Sequence, residues 1–134
     1  EIPSLEPRGA VMLECRVGKQ QLRVVGMHLD LSGLWRRKQA RAILDAVSQR
    51  REKMPTILMG DLNEWALRRG CLVEFLHDYR IAFTGPSFHS QRPVARLDRI
   101  MVGENLRILG SGTHNTAKAK RASDHLPVWA ELAF

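Results

Sequence analysis

Residues 57–65, Ile57-Leu58-Met59-Gly60-Asp61-Leu62-Asn63-Glu64-Trp65, begin as an apolar run and break into glycine, aspartate and asparagine. A short apolar run bounded by Pro55 on one side and turn-forming residues on the other reads as a buried strand over 56–60. Gly, Asp and Asn favour tight turns, so the plain reading is a strand followed by a turn. The sharper reading is that a rigid strand end holds two polar side chains, Asp61 and Asn63, at one point. Which applies depends on whether other segments deliver partners there.

Upstream, "RGAVMLECRV" and "QQLRVVGMHL" flank Gly18-Lys19 and read as a hairpin of strands 9–17 and 20–28. Ala40, Ile43, Leu44 and Val47 then fall at i, i+3, i+4 and i+7 among charged residues, which predicts an amphipathic helix over 33–51. Ser32 is its expected cap, and Met54-Pro55 its stop. Downstream, Leu72, Phe75, Leu76 and Tyr79 predict a shorter helix over 71–78. Residues 84–96, with Gly85, Pro86 and Pro93, read as an ordered loop. "RLDRIMV" reads as a strand, followed by strands near 106–109 and 113–118. In the final "LPVWAELAF", Leu126, Val128, Ala130 and Leu132 alternate with Trp129 and Glu131, the pattern of a half-buried strand. The class is α/β, rich in strands with antiparallel neighbours, and no internal repeat occurs.

At 134 residues, 44% hydrophobic and 26% charged, the chain is at most one domain with a genuine core. No run approaches the length of a transmembrane segment, the opening "EIPSLEPRGA" lacks a signal pattern, and a cytoplasmic location is expected. A start at Glu1 rather than Met leads us to expect a piece of a longer polypeptide. Cys15 and Cys71 form no CxxC pair; buried thiols are expected, with a single disulfide as the alternative. The net charge is +7, and arginine greatly outnumbers lysine among the 21 basic residues. The planar guanidinium fork suits phosphate, so the excess favours an anionic partner: nucleic acid, a phosphorylated small molecule or a lipid head group. Solubility alone is the competing explanation.

Partners for Asp61 and Asn63 are present. The second hairpin strand ends at Met27-His28-Leu29-Asp30, a later strand carries Asp98 within "RLDRI", and Asp124-His125 immediately precede the last strand. A carboxylate among apolar neighbours needs a compensating partner, and a histidine held by a carboxylate is a poised base. His125 is the natural partner for Asp98. Adjacent residues on an extended chain point different ways, which leaves Asp124 free to touch a cation.

Taken in order, His28-Leu29-Asp30, Gly60-Asp61-Leu62-Asn63, Leu97-Asp98-Arg99-Ile100 and Ser123-Asp124-His125-Leu126-Pro127-Val128 resemble the motifs of the endonuclease/exonuclease/phosphatase superfamily, whose members include deoxyribonuclease I-like enzymes. The resemblance runs from about Arg8 to Phe134. It implies the C-terminal half of a four-layer α/β/β/α sandwich, with a mixed, mostly antiparallel sheet and flanking helices, so that residues 1–134 form a partial domain. It further implies a metal-dependent phosphoesterase. Asp61 and Asn63 would orient the attacking water, with Asn63 also contacting phosphate. His28 would contact phosphate or assist the leaving group, and Arg8 would face phosphate. Asp98 and His125 would form a dyad, and Asp124 would help hold a divalent metal, magnesium or alternatively manganese.

The same resemblance implies an N-terminal half bearing an asparagine and a metal-binding glutamate, which this sequence lacks. The fragment alone is therefore expected to be inactive and to pair through an apolar sheet face, either with that half or as a homodimer. The implied substrate is a phosphate ester: nucleic acid, inositol phosphate or a phospholipid head group. A calcineurin-like phosphoesterase would need Asp-x-His and Gly-Asn-His, whereas this chain has His28-x-Asp30 and no Gly-Asn-His. The remaining alternative is a non-catalytic basic module that binds nucleic acid or phospholipid. Arg68, Arg69, Arg92 and Arg96 are candidates for an anion route, against the reading of solvated surface. Trp65 is expected as core or rim packing.

Overall fold

Alternation in the first hairpin and the apolar run at 56–60 generate most of a five-stranded sheet. The computed structural model describes residues 8–134. Strands β1 (Ala10–Val17) and β2 (Gln20–His28) pair antiparallel across the Gly18-Lys19 turn. Helix α1 (Gly33–Ser48) crosses over, and β3 (Thr56–Asp61) returns parallel to β2. A short helix, α2 (Leu72–Phe75), leads into β4 (Tyr79–Ile81), and β5 (Asp98–Gly103) inserts antiparallel between β3 and β4. The sheet order is β1-β2-β3-β5-β4. Strands β6 (Arg107–Thr113) and β7 (Val128–Ala133) form a separate antiparallel pair, with helix α3 (Ala117–Ala122) between them in the chain.

Two apolar clusters hold these layers. On one side of the large sheet, Val25, Met27, Leu58 and Met101 pack against Ala40 and Ile43 of α1 and Leu72 and Phe75 of α2. On the other, Ile57, Ile100 and Val102 meet Ile108, Val128, Ala130 and Leu132 of the β6–β7 pair. The result is a mixed α/β fold with a mixed sheet and flanking helices. The β6–β7 pair leaves β1 uncovered, where Val11, Leu13 and Val17 stay exposed.

Gly60 sits mid-strand at φ 144°, where a Cβ would lie 1.8 Å from the carbonyl oxygen of Met27, so only glycine lets β2 and β3 approach here.

Several elements differ from expectation. α1 stops at Ser48 rather than residue 51, because Arg50 N–H closes back onto Val47 O and tightens the last turn. Ser32 occupies the cap position but makes no side-chain cap bond; its N–H instead donates to Asp30 Oδ1. The helix over 71–78 shrinks to Leu72–Phe75, and the chain enters β4, a strand too short to announce itself. The two strands expected near 106–109 and 113–118 are one strand, β6, followed by α3. Thr116 caps that helix by accepting the Ala119 N–H at 3.1 Å. Cys71 is fully buried, Cys15 is half-buried, and both are free thiols.

Candidate functional site

β2 and β3 run parallel and β5 runs antiparallel to them, so the ends of the first two and the start of the third share one sheet edge. His28 is opposite Asp61 in register, and Asp61 is opposite Asp98. Residues opposite in register face the same side, so three strands line up an imidazole and two carboxylates.

The turn after β3 is built by its own polar side chains. Asp61 Oδ1 accepts the Asn63 N–H at 2.8 Å, and Asn63 adopts φ 49°, a left-handed conformation that asparagine tolerates. Asn63 Nδ2 donates to Leu29 O at 2.9 Å and ties this turn to the end of β2. Asp61 Oδ2 is thereby left facing the cleft, 3.5 Å from His28 Nε2 and 3.8 Å from His125 Nε2.

His125 arrives from the loop before β7, clamped by the 84–96 loop. Leu126 N–H donates to Ser87 O at 2.9 Å, and Ser90 N–H to Asp124 O at 2.7 Å. His125 Nδ1 lies 2.8 Å from Asp98 Oδ2, which also accepts a hydrogen bond from Ser87 Oγ. With Nδ1 donating to Asp98, the Nε2 lone pair points toward Asp61. Burial works against a charged His125, but the hydrogen bond to Asp98 and the charges of Asp98, Asp61 and Asp124 outweigh it and raise its pKa above the ordinary value. The Phe88 ring packs against the imidazole at 4.9 Å between centroids.

The resulting cleft, about 540 Å³, is lined by Arg8, His28, Asp61, Asn63, Asp98, Asp124 and His125, whereas Arg68, Arg69, Arg92 and Arg96, the candidates for an anion route, do not line it. Arg8 Nη1 lies 2.9 Å from His28 Nε2. Asp61, Asp98 and His125 place one donor atom each within 4.8 Å of one another, a set able to hold a metal ion. Two carboxylates with an imidazole suit a divalent cation, although the imidazole departs from the all-oxygen shell that magnesium prefers. Asp124 lines the cleft outside that three-residue set. Trp65 stands at the rim, 63% exposed, with its ring edge-on to Phe88 at 6.5 Å. Ser87 and Phe88 carried no local signal; a polar and an aromatic residue in a loop acquire meaning only when the fold brings them to Asp98 and His125.

Glu64 and Glu14 serve elsewhere. Glu64 accepts from Ala66 N–H and Cys71 N–H at 3.2 Å each and pairs with Arg36 at 3.3 Å, tying α1 to the loop after the site. Glu14 pairs with Arg23 at 2.8 Å.

The family model described as the Endonuclease/Exonuclease/phosphatase family matches residues 6–125. Solved structures share the fold. An endonuclease/exonuclease/phosphatase from Bacteroides vulgatus superposes with a TM-score of 0.80 at 18% identity, over 94% of this chain and 55% of that one. A mannosyl-6-phosphatase from Bacteroides thetaiotaomicron gives 0.70 at 21% identity, over 87% and 53%. TDP2 from D. rerio, solved with a single-strand DNA product, gives 0.73 at 16% identity, over 95% and 62%. The chain thus spans little more than half the length of the solved structures it matches. No curated protein matches it in sequence.

Proposed function

The chain belongs to the Endonuclease/Exonuclease/phosphatase family, and from that premise we propose that its cleft is the larger part of a metal-dependent phosphoesterase site, hydrolysing a phosphate ester by in-line attack of water. The observation that carries this reading is the Asp98–His125 pair, 2.8 Å apart, with Nε2 turned toward Asp61. A water held between Asp61 Oδ2 and His125 Nε2 is placed to attack phosphorus. Its proton passes to Nε2, and Asp98 stabilises the imidazolium that forms. The raised pKa of His125 suits it to accept that proton. Arg8 and His28, across Asp61, offer cationic and hydrogen-bonding contacts to phosphoryl oxygens. Asn63 holds the turn that aims Asp61. A divalent cation, magnesium or manganese, held with the help of the Asp124 carboxylate would supply Lewis-acid stabilisation of the charge developing on the phosphoryl group.

Magnesium demands near-octahedral oxygen coordination, and these residues offer few free carboxylate oxygens. We infer that the chain alone is inactive and that further polypeptide of the family's usual length completes the site. That polypeptide would cover the apolar face of β1 and β2; in the isolated chain a second copy takes its place. The test is hydrolysis of a chromogenic phosphodiester and phosphomonoester with magnesium, manganese or chelator, by the chain alone and by a longer polypeptide containing it. Metal-dependent turnover by the longer polypeptide, lost on Asp98→Asn, supports the reading. Turnover unaffected by chelator or by Asp98→Asn sinks it.

A further inference from the structure

Asp98 and Arg99 are adjacent on β5 but face opposite sides of the sheet. Asp98 enters the catalytic cleft, whereas Arg99 lines a second cavity of about 340 Å³ together with Arg68, Arg96, Phe83, Thr84 and Leu67. The two cavities have no lining residue in common, but chain neighbours line them: Leu97 and Asp98 the first, Arg96 and Arg99 the second. No Asp or Glu lines the second cavity, and none of its three guanidinium groups forms an ion pair among the described residues. Arg99 is 3% exposed; its Nη2 reaches Ala66 O at 3.3 Å, and its buried Nε meets no acceptor. Arg96 stacks on the exposed Phe83 ring at 4.8 Å, which fixes its direction. Burial, and then repulsion from Arg96, lowers the pKa of Arg99 against the opposing pull of Glu64 and Asp98, neither of which forms an ion pair with it.

Grouped guanidinium groups without an ion-pair partner, beside an apolar wall, suit an oxyanion. The geometry points to this cavity as a subsite for a phosphoryl group other than the one being cleaved, with the apolar wall against the carbon skeleton that carries it. Only the source of that anion, the substrate itself, rests on the phosphoesterase reading.

The probe is inorganic phosphate, titrated into the chain in chelator while the Arg99 Nε–Hε resonance is followed by NMR. A saturable shift is expected. Arg96→Gln and Arg68→Gln, whose side chains reach the surface, should each weaken apparent affinity about tenfold, the loss of one charge-assisted contact. Asp98→Asn should leave the shift in place, separating this site from the cleft. No saturable shift, or one reproduced by sodium chloride at matched ionic strength, overturns the subsite. If the shift appears and no polypeptide containing the chain hydrolyses phosphate esters, the subsite stands and the phosphoesterase reading fails. In a hydrolysing protein, Arg96→Gln should raise KM for a bisphosphorylated substrate and leave KM for a monophosphorylated one unchanged. Equal effects on both would refute the substrate as the source and leave free phosphate.

Discussion

Leu58 and Met59 are neighbours on β3, yet the first is fully buried and the second 41% exposed. They face opposite sides of the same sheet. Leu58 looks toward α1 and α2, where the sheet is sealed. Met59 looks toward the side that β6 and β7 cover only in part, and two residues further along that side Asp61 begins the edge that carries the candidate site. The sealed side supplies rigidity, and the open side carries the polar groups that a closed core would have to neutralise. A strand anchored on one face can therefore hold Asp61 and Asp98 in fixed register on the other.

The largest effect should come from the open side. In a hydrolysing polypeptide containing these residues, Asp98→Ala and His125→Ala should each lower kcat by roughly 10²–10⁴-fold. Their double variant should be scarcely worse if the two act as one unit, as proposed. Multiplicative losses would show separate roles, and thermal denaturation should confirm that each variant still folds.

On the sealed side, Phe75→Ala should cost about 3–5 kcal/mol and Leu58→Ala about 2–5 kcal/mol in urea unfolding. Met59→Ala, one residue away, should cost clearly less than Leu58→Ala, since Met59 is already 41% exposed. Equal costs for Leu58 and Met59 would mean that both faces are sealed in solution. A related measurement probes the exposed strand: sedimentation of the isolated chain should show self-association that Leu13→Glu abolishes without changing the circular dichroism. A monomer at high concentration would show that the β1 face needs no cover.

The contrast also explains what could be read in advance. The hairpin, α1 and the strand at 56–61 were legible because their burial is local and periodic: alternation in β1 and β2, helical spacing at Ala40, Ile43, Leu44 and Val47. The carboxylates and histidines were legible because they terminate such strands. β6 was split in the reading because Gly110 and Gly112 interrupt its apolar pattern. The Trp129 ring occupies the space above Gly112, where a Cβ would come within 3.1 Å of it. α3 was missed because "AKAKRA" has no apolar stripe, and its cap, Thr116, reads equally as a turn. Ser87 and Phe88 were invisible because their partners, Asp98 and His125, lie 11 or more residues away and meet them only through the fold.

The smallest expected effect is a difference in the sign of pH dependence between the two sides. Burial acts to raise the pKa of Glu64, but the N–H donors of Ala66 and Cys71 and the Arg36 guanidinium outweigh it, so Glu64 lies below its ordinary value of 4.5. Its stabilising contribution is therefore present above about pH 4.5 and lost as pH falls through the lowered folded value. His125 lies above its ordinary value of 6.5. Its contribution is full below about pH 6.5 and lost as pH rises through the raised folded value. Urea midpoints of the metal-free chain, measured from acid to alkaline pH, should thus fall away at both ends for different reasons. Glu64→Gln should flatten the acid limb alone and His125→Gln the alkaline limb alone, each by a modest amount because His125 is partly solvated and Glu64 shares its donors with the backbone. If Glu64→Gln instead flattened the alkaline limb, the two networks would be coupled through the Asp61–Asn63 turn, and the separation between a sealed side and an open side would fail at that turn.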